Sequence, residues 1–246
     1  MRNQSLKNWC GDVKSIRGVG EIYCFQSFEK LILFLLIFSK RFDNIKPIGE
    51  DMLYSFGDLA LKFRNYVDIK GKIRREIQSG RLIPVARGLY ESEQNTSGKY
   101  LAGRIYGPSY LSFEYALDFY SLIPESVYQT YTSATFQKRR SKKYRNAFGS
   151  FLYRDVPAKA YPLGIVLREE NGYSYQIATP EKALCDELYS LSPVKNISEI
   201  KALLFEDLRL DEQEFYKLNT IDLQKLIPLY HSTNLNLLNK IIERIH

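Results

Sequence analysis

The chain has 246 residues, enough for one large domain or two small ones, and 45% of them are hydrophobic and 26% charged, as in a globular protein. The sequence has no low-complexity tract, which argues against wholesale disorder. The formal net charge of +7 is unevenly spread, since residues 181–246 hold eight basic against eleven acidic side chains and the first 180 residues therefore carry +10. This pattern indicates a part that faces a polyanion and a separate, mildly acidic tail.

The cysteines and histidines argue against a metal site. Cys10, Cys24 and Cys185 lie far apart without a CxxC pair, and the two histidines, His231 and His246, lie near the end of the chain. Structural zinc needs about four clustered ligands, so we expect no metal. An odd number of cysteines without a secretory signal is typical of the cytoplasm, which is the predicted location.

The most apolar run, residues 31–38 (LILFLLIF), is too short for a membrane span, which needs roughly 20 apolar residues. It predicts a buried helix within an N-terminal extension, residues 1–46. We therefore expect no membrane contact.

Residues 47–92 have the order of a winged helix-turn-helix. Leu59, Ala60 and Phe63 predict a first helix by their spacing. A second helix is predicted over residues 68–79, with Asp68 as its N-cap and Gly80 as the residue that ends it. Two short strands then turn at residues 86–88, which completes a helix, helix, hairpin order.

Residues 100–246 predict a second domain. Ser112 is expected to cap a helix, and strand-like runs follow at residues 127–135, 148–156 and 162–168. Asn171-Gly172 predicts a hairpin turn, and Thr179-Pro180 predicts a helix start. The overall prediction is an α+β fold: an N-terminal winged helix-turn-helix, then an α+β domain with a central antiparallel sheet and a helical C-terminal tail.

The second helix of the predicted DNA-binding domain is strongly basic outside its apolar face. Lysine and arginine contact phosphates, whereas arginine and glutamine also read base edges. The predicted DNA-binding residues are Lys70, Lys72, Arg74, Arg75, Gln78 and, at the hairpin tip, Arg87. The alternative is an ordinary small helical unit with a solvated basic face.

The densest basic cluster has six cations in eight residues and is predicted to be an exposed loop between strands. Its cations are Lys138, Arg139, Arg140, Lys142, Lys143 and Arg145. They suit nucleic-acid phosphates or the acidic face of a protein partner equally well.

Catalytic motifs are missing from the sequence, which has no phosphate-binding glycine loop and no GxSxG elbow. We expect a protein that is not an enzyme and has no cofactor. Four charged residues near position 184 are expected on a solvated helix face: Glu181, Lys182, Asp186 and Glu187.

Three segments resemble the AbiEi family of bacterial antitoxins and transcriptional regulators of type IV toxin–antitoxin systems. Residues 83–90 (IPVARGLY) are similar to the family's wing, and residues 110–117 (YLSFEYAL) with 122–124 (LIP) to its next helix. Residues 177–184 (IATPEKAL) resemble its ATPEKAL signature. The sequence departs from the family in having about fifty residues before the winged helix, and Ser121 where a glycine is usual.

The resemblance implies a winged helix that binds inverted repeats in double-stranded promoter DNA and represses its own operon. It also implies that residues 100–246 form an antitoxin domain, which counteracts an AbiEii-like nucleotidyltransferase toxin with or without direct contact. Two other interpretations stay open: a protein-interaction module, and an RNA-binding or nuclease protein.

Overall fold

The computed structural model describes residues 53–125 and 128–244, all of which belong to one compact unit, Pro47–His246. The fold is mixed α+β, as the sequence predicts. The N-terminal extension, residues 1–46, with its apolar run lies outside the described residues. Within the described part of the chain, no helix is both long and apolar enough to cross a bilayer.

The first five elements form a small helix-and-sheet unit. In chain order they are β1 (Leu53–Ser55), α1 (Phe56–Lys62), α2 (Ile69–Gln78), β2 (Ile83–Ala86) and β3 (Leu89–Glu91). The strands form an antiparallel sheet in the order β1-β3-β2. Strand β1 was not predicted, because three residues are too few to show an alternating pattern.

The helix ends in this unit follow the local sequence. Ser55 and Asp58 form a reciprocal capping box at the start of α1. Asp68 caps α2 by accepting a hydrogen bond from the Gly71 amide, as predicted. Gly80, with φ of 74°, ends the helix turn in the left-handed conformation that glycine adopts without strain.

The remaining elements form a larger unit around a six-stranded sheet. They are α3 (Gly98–Ile105), β4 (Tyr110–Leu111), α4 (Phe113–Phe119), β5 (Thr130–Thr135), β6 (Lys142–Asn146), β7 (Gly149–Asp155), β8 (Ile165–Glu170), β9 (Tyr173–Ala178), α5 (Pro180–Ser190), α6 (Ile197–Ala202, continued by a π-turn over Leu203–Asp207), α7 (Glu212–Tyr216), α8 (Thr220–Leu226) and α9 (Thr233–Ile242).

The prediction of an antiparallel central sheet is wrong, because the sheet is mixed. Its order is β6-β7-β5-β4-β9-β8, with β5 parallel to β7 and β4 parallel to β9. The β6–β7 hairpin places β7 next to β5 and leaves β6 on the edge, so β5 and β7 run the same way. Short strands with alternating side chains predict a sheet, but they do not determine which strands are neighbours.

Helices cover both faces of this sheet. The Tyr153 hydroxyl donates to the Ala102 carbonyl of α3 at 2.7 Å, whereas the next residue, Arg154, pairs with Glu187 of α5. Because neighbouring strand residues point to opposite faces, α3 and α5 lie on opposite sides. The helices α6–α9 form the predicted tail and complete the large core with Leu204, Leu235 and Leu238.

The prediction of a solvated face at residues 181–187 is wrong, because all four charged side chains are buried. Lys182 and Asp186 are fully buried and form an ion pair at 3.0 Å. The Lys182 ammonium also donates to the Ala160 carbonyl at 2.9 Å and to the Tyr230 hydroxyl. Burial on this helix comes from the β4–α4 segment on one side and the tail on the other.

Asp186 accepts hydrogen bonds from three further groups. The hydroxyls of Tyr110 and Ser112 donate to its Oδ2 at 2.9 and 2.7 Å, and that of Tyr230 donates to its Oδ1 at 2.6 Å. Ser112 therefore occupies the predicted N-cap position of α4, but its side chain makes no capping bond there. The Ser112 hydroxyl donates its hydrogen bond to the buried Asp186 carboxylate instead.

We expect Lys182→Met to lower the free energy of unfolding by about 3–5 kcal/mol, because Asp186 is left as a buried charge without its cation. The double variant Lys182→Met/Asp186→Asn removes both charges and should recover part of the loss. Urea denaturation of Lys182→Met, of Asp186→Asn and of the double variant measures the coupling energy between the two residues. Strictly additive losses would contradict the buried ion pair.

Candidate nucleic-acid interface

Helix α2 presents most of the predicted DNA-binding residues on one exposed arc. At about 100° per residue, Lys70, Arg74, Arg75 and Gln78 span roughly 140° of the helix surface. All four side chains are exposed. The opposite arc carries Ile73, which is 4% exposed and packs with Leu59 and Leu82 in a small core of its own.

Lys72 was predicted to point outward, but its side chain is only partly exposed. Its ammonium lies 2.6 Å from the Glu76 carboxylate, and 21% of its side chain is exposed. The same ammonium lies 4.9 Å from the centre of the Tyr66 ring and 5.6 Å from that of Phe63. The i,i+4 spacing to Glu76 was visible in the sequence, but the two rings were not.

Glu76 also forms a salt bridge with Arg81, which was not among the predicted DNA-binding residues. The Arg81 guanidinium donates to the Glu76 carboxylate through Nε at 2.5 Å and through Nη2 at 3.2 Å. Hydrogen bonds from Arg81, which has the larger effect, and from Lys72 lower the pKa of Glu76 to about 2. The carboxylate is therefore ionised at neutral pH between its two cations.

The β2–β3 hairpin projects Arg87 at its turn, as predicted, and the side chain is exposed. Gly88 follows in the left-handed conformation, with φ of 76°. Its carbonyl accepts a hydrogen bond from the Phe56 amide at 2.8 Å, which ties the turn to the start of α1. The hairpin tip is thus held against the helical part of the unit.

The prediction that residues 138–145 form a loop is only half right. Lys138, Arg139 and Arg140 precede the strand, but Lys142, Lys143 and Arg145 lie in β6. Among the described residues, the strand pairs with β7 on one side, and its other side is an edge of the sheet. Charged residues are common on such edges because they oppose pairing with another chain.

The cations of this basic segment differ in their availability. Arg139, Arg140, Lys143 and Arg145 are exposed, whereas Lys142 is half-buried. The Lys138 ammonium lies 5.3 Å from the centre of the Tyr106 ring.

A hydrogen bond joins this basic strand to the hairpin. The Asn146 side-chain amide, at the end of β6, donates to the Val85 carbonyl of β2 at 2.8 Å. Val85 is 3% exposed and belongs to the large core. The hairpin with Arg87 and the strand with Arg145 are therefore parts of one packed surface, which the sequence did not indicate.

Two surface depressions measure about 230 and 220 Å³, below the roughly 300–1,000 Å³ typical of small-molecule sites. The larger one lies on the β6–β7 hairpin, beside Lys143 and Arg154. Among the residues that the structure describes, no three histidine, cysteine, aspartate or glutamate side chains are grouped to hold a metal ion.

A second acidic cluster surrounds Arg154 beneath the sheet. Its guanidinium pairs with Glu187 at 3.3 Å, pairs with Glu114 and lies 4.7 Å from the centre of the Phe113 ring. Burial raises the pKa of Glu187 to about 7, and the neighbouring Glu114 charge adds to this, although Arg154 opposes it. Glu187 is 2% exposed, whereas the side chains of Arg154 and Glu114 are partly exposed, so the cluster lies at the border of the core.

This raised pKa predicts a pH-dependent stability. The Glu187 carboxyl binds its proton more tightly in the folded protein than in the unfolded chain, where its pKa is near 4.5. Its contribution to stability is therefore complete below pH 4.5 and is lost as the pH rises through about 7. We expect the gain in unfolding free energy from Glu187→Gln to grow between pH 4.5 and 7.5, as measured by urea denaturation. A constant difference across that range would show that Glu187 titrates normally.

Comparisons with known proteins add no relative. No model of a known protein family matches the chain, and a search of curated proteins finds no significant match.

Proposed function

We propose that residues 53–91 form a winged helix-turn-helix that binds double-stranded DNA, with α2 as its recognition helix and the β2–β3 hairpin as its wing. The observation that carries this proposal is the exposed arc of Lys70, Arg74, Arg75 and Gln78, followed by a hairpin with Arg87 at its tip. An α-helix with its side chains is about 10–12 Å in diameter, which matches the roughly 12 Å width of the major groove. The cations of α2 suit contacts with phosphates and base edges.

The charge distribution supports this assignment more strongly than a count of cations does. The only acidic side chain on α2 is Glu76, and it is buried between Lys72 and Arg81. The outward arc of α2 therefore carries only positive charges of its own, and the nearby Asp68 carboxylate at the N-cap accepts a hydrogen bond from the Gly71 amide. An ordinary solvated helix commonly mixes both signs on its exposed face.

We further propose that the protein is an antitoxin of the AbiEi type, which represses its own operon and counteracts a nucleotidyltransferase-type toxin. Support comes from the resemblance of three segments to that family. Two of them adjoin in the fold, since Leu111 pairs with Ile177 and Ser112 donates to Asp186. Their order and spacing are thus consistent with one packed domain.

The basic segment at residues 138–145 favours a second candidate function. In the described part of the chain, β6 lies at the edge of the sheet, and this edge with the exposed Lys143 and Arg145 suits an acidic segment of another protein, as in a protein-interaction module. The hydrogen bond from Asn146 to Val85 instead places the strand next to the hairpin, so the same cations could contact DNA phosphates beyond the wing. The two interpretations differ in whether DNA competes with the partner.

The test is a mobility shift of the full chain on its own upstream promoter and on scrambled DNA of equal length, at several salt concentrations. A sequence-reading regulator prefers the promoter, and this preference persists as salt rises. Equal and steeply salt-dependent binding to both DNAs would contradict the proposal and favour the protein-interaction function.

We expect Arg74→Ala/Arg75→Ala to weaken promoter binding by about 1–3 kcal/mol for each arginine that reads a base. The control is Lys201→Ala/Lys240→Ala, which removes the same charge from exposed positions in the helical tail. The control should bind the promoter like the unchanged protein in the same mobility shift. Equal weakening in both double variants would mean that only net charge matters.

A further inference from the structure

Glu76 is a buried carboxylate in the middle of the most basic helix of the described chain. It is 7% exposed, and both of its oxygens accept hydrogen bonds from Arg81. Lys72 contacts one of the same oxygens at 2.6 Å. A carboxylate near DNA phosphates opposes binding, so its presence here calls for a physical reason.

One of the two cations on Glu76, Lys72, lies on α2 itself, and the other, Arg81, follows the helix. Lys72 lies against the rings of Phe63 and Tyr66, which belong to the turn between α1 and α2. Arg81 lies in the connection from α2 to strand β2. Glu76 therefore links the preceding turn, the helix itself and the start of the hairpin through one group.

The backbone strengthens this link. The Glu76 carbonyl accepts hydrogen bonds from the amides of Arg81 at 3.0 Å and of Leu82 at 3.2 Å. Leu82 is 6% exposed and packs with Ile73 of α2. The path from helix to hairpin is thus fixed by both backbone and side chain of the same residue.

The link also lowers the positive charge that is available to phosphates. Lys72 and Arg81 share the single negative charge of Glu76, so the three groups carry one net positive charge, and 65% of the Arg81 side chain stays exposed. Lys70, Arg74 and Arg75 remain on the exposed arc. Phosphate contacts give affinity for any sequence, and base contacts give preference for one. An arrangement that weakens phosphate contacts while fixing the helix favours selectivity over affinity.

We infer that Glu76 is a positioning residue for DNA recognition, which sets α2 relative to the wing and competes with phosphates for Lys72 and Arg81. This inference rests on the proposed DNA-binding function. It assigns Glu76 no contact with DNA of its own. The quantity that it controls is the ratio of promoter affinity to scrambled-DNA affinity.

The experiment measures this ratio for Glu76→Gln by salt-titrated mobility shift. Freed of their partner, Lys72 and Arg81 should raise affinity for scrambled DNA and steepen its log–log salt slope by about 0.9 for each new phosphate contact. Loosened positioning should lower the promoter preference by about tenfold or more, the effect of about one base contact. The matched control, Glu169→Gln, removes the same charge from an exposed position on β8 and should keep the preference.

Arg81→Lys is the second variant, because it keeps the charge and removes the two-pronged hydrogen bond to Glu76. It should lower the promoter preference with little change in salt slope. An unchanged preference in both Glu76→Gln and Arg81→Lys overturns the inference, as does an equal drop in preference in Glu169→Gln. Loss of folded protein would reduce binding to both DNAs equally, so the ratio is compared only for variants whose circular dichroism matches that of the unchanged protein.

The two proposals fail in different ways. Absence of promoter preference in the unchanged protein overturns the DNA-binding proposal itself, before any variant is compared. A normal preference that the variants do not alter overturns only the role of Glu76. The Glu76 link can be checked without DNA, since NMR titration should give this carboxyl a pKa of about 2.

Discussion

The fold depends on the buried pair of Lys182 and Asp186. Moving two charges out of water costs several kcal/mol for each ion, and only a complete set of partners offsets this cost. Here the partners come from separate parts of the chain: Ala160, Tyr110 and Ser112 beside β4, and Tyr230 in the tail. The pair is therefore satisfied only when helix α5, the sheet and the tail are packed together, and this requirement selects one arrangement among compact alternatives.

The proposed DNA-binding unit depends on the same core. Among the described residues, its own buried cluster consists of Leu59, Ile73 and Leu82 with a few partly buried side chains packed against them, which is a small core for a unit of this size. Val85 of the hairpin is part of the large core, and Leu53 and Leu89 pack against it. The position of the wing is thus set by the unit around the six-stranded sheet. A substitution that loosens the packing of that sheet should therefore also disturb the proposed DNA interface.

Local signals in the sequence predicted local structure well. The cap at Asp68, the turn at Asn171-Gly172 and the helix start at Thr179-Pro180 are all confirmed, because each depends on a few neighbouring residues. The parallel strand pairs and the burial of Lys182 were missed, since both depend on contacts between distant segments. At the candidate site, the exposed arginines were predicted by helical spacing. The partial burial of Lys72 was not predicted, because it depends on the rings of Phe63 and Tyr66 and on Glu76, whose arrangement around Lys72 is seen only in the structure.

The buried polar residues of this chain support the fold, whereas the proposed function depends on exposed ones. The segments at residues 110–117 and 177–184 resemble the AbiEi family, yet their polar residues Ser112 and Lys182 serve the buried network. A likeness in such residues concerns packing, and a fold by itself does not determine a function. The functional proposal must therefore rest on exposed groups that packing does not require. On α2 these are Arg74, Arg75 and their neighbours, whose side chains are exposed and whose charge is the basis of the proposed anionic partner.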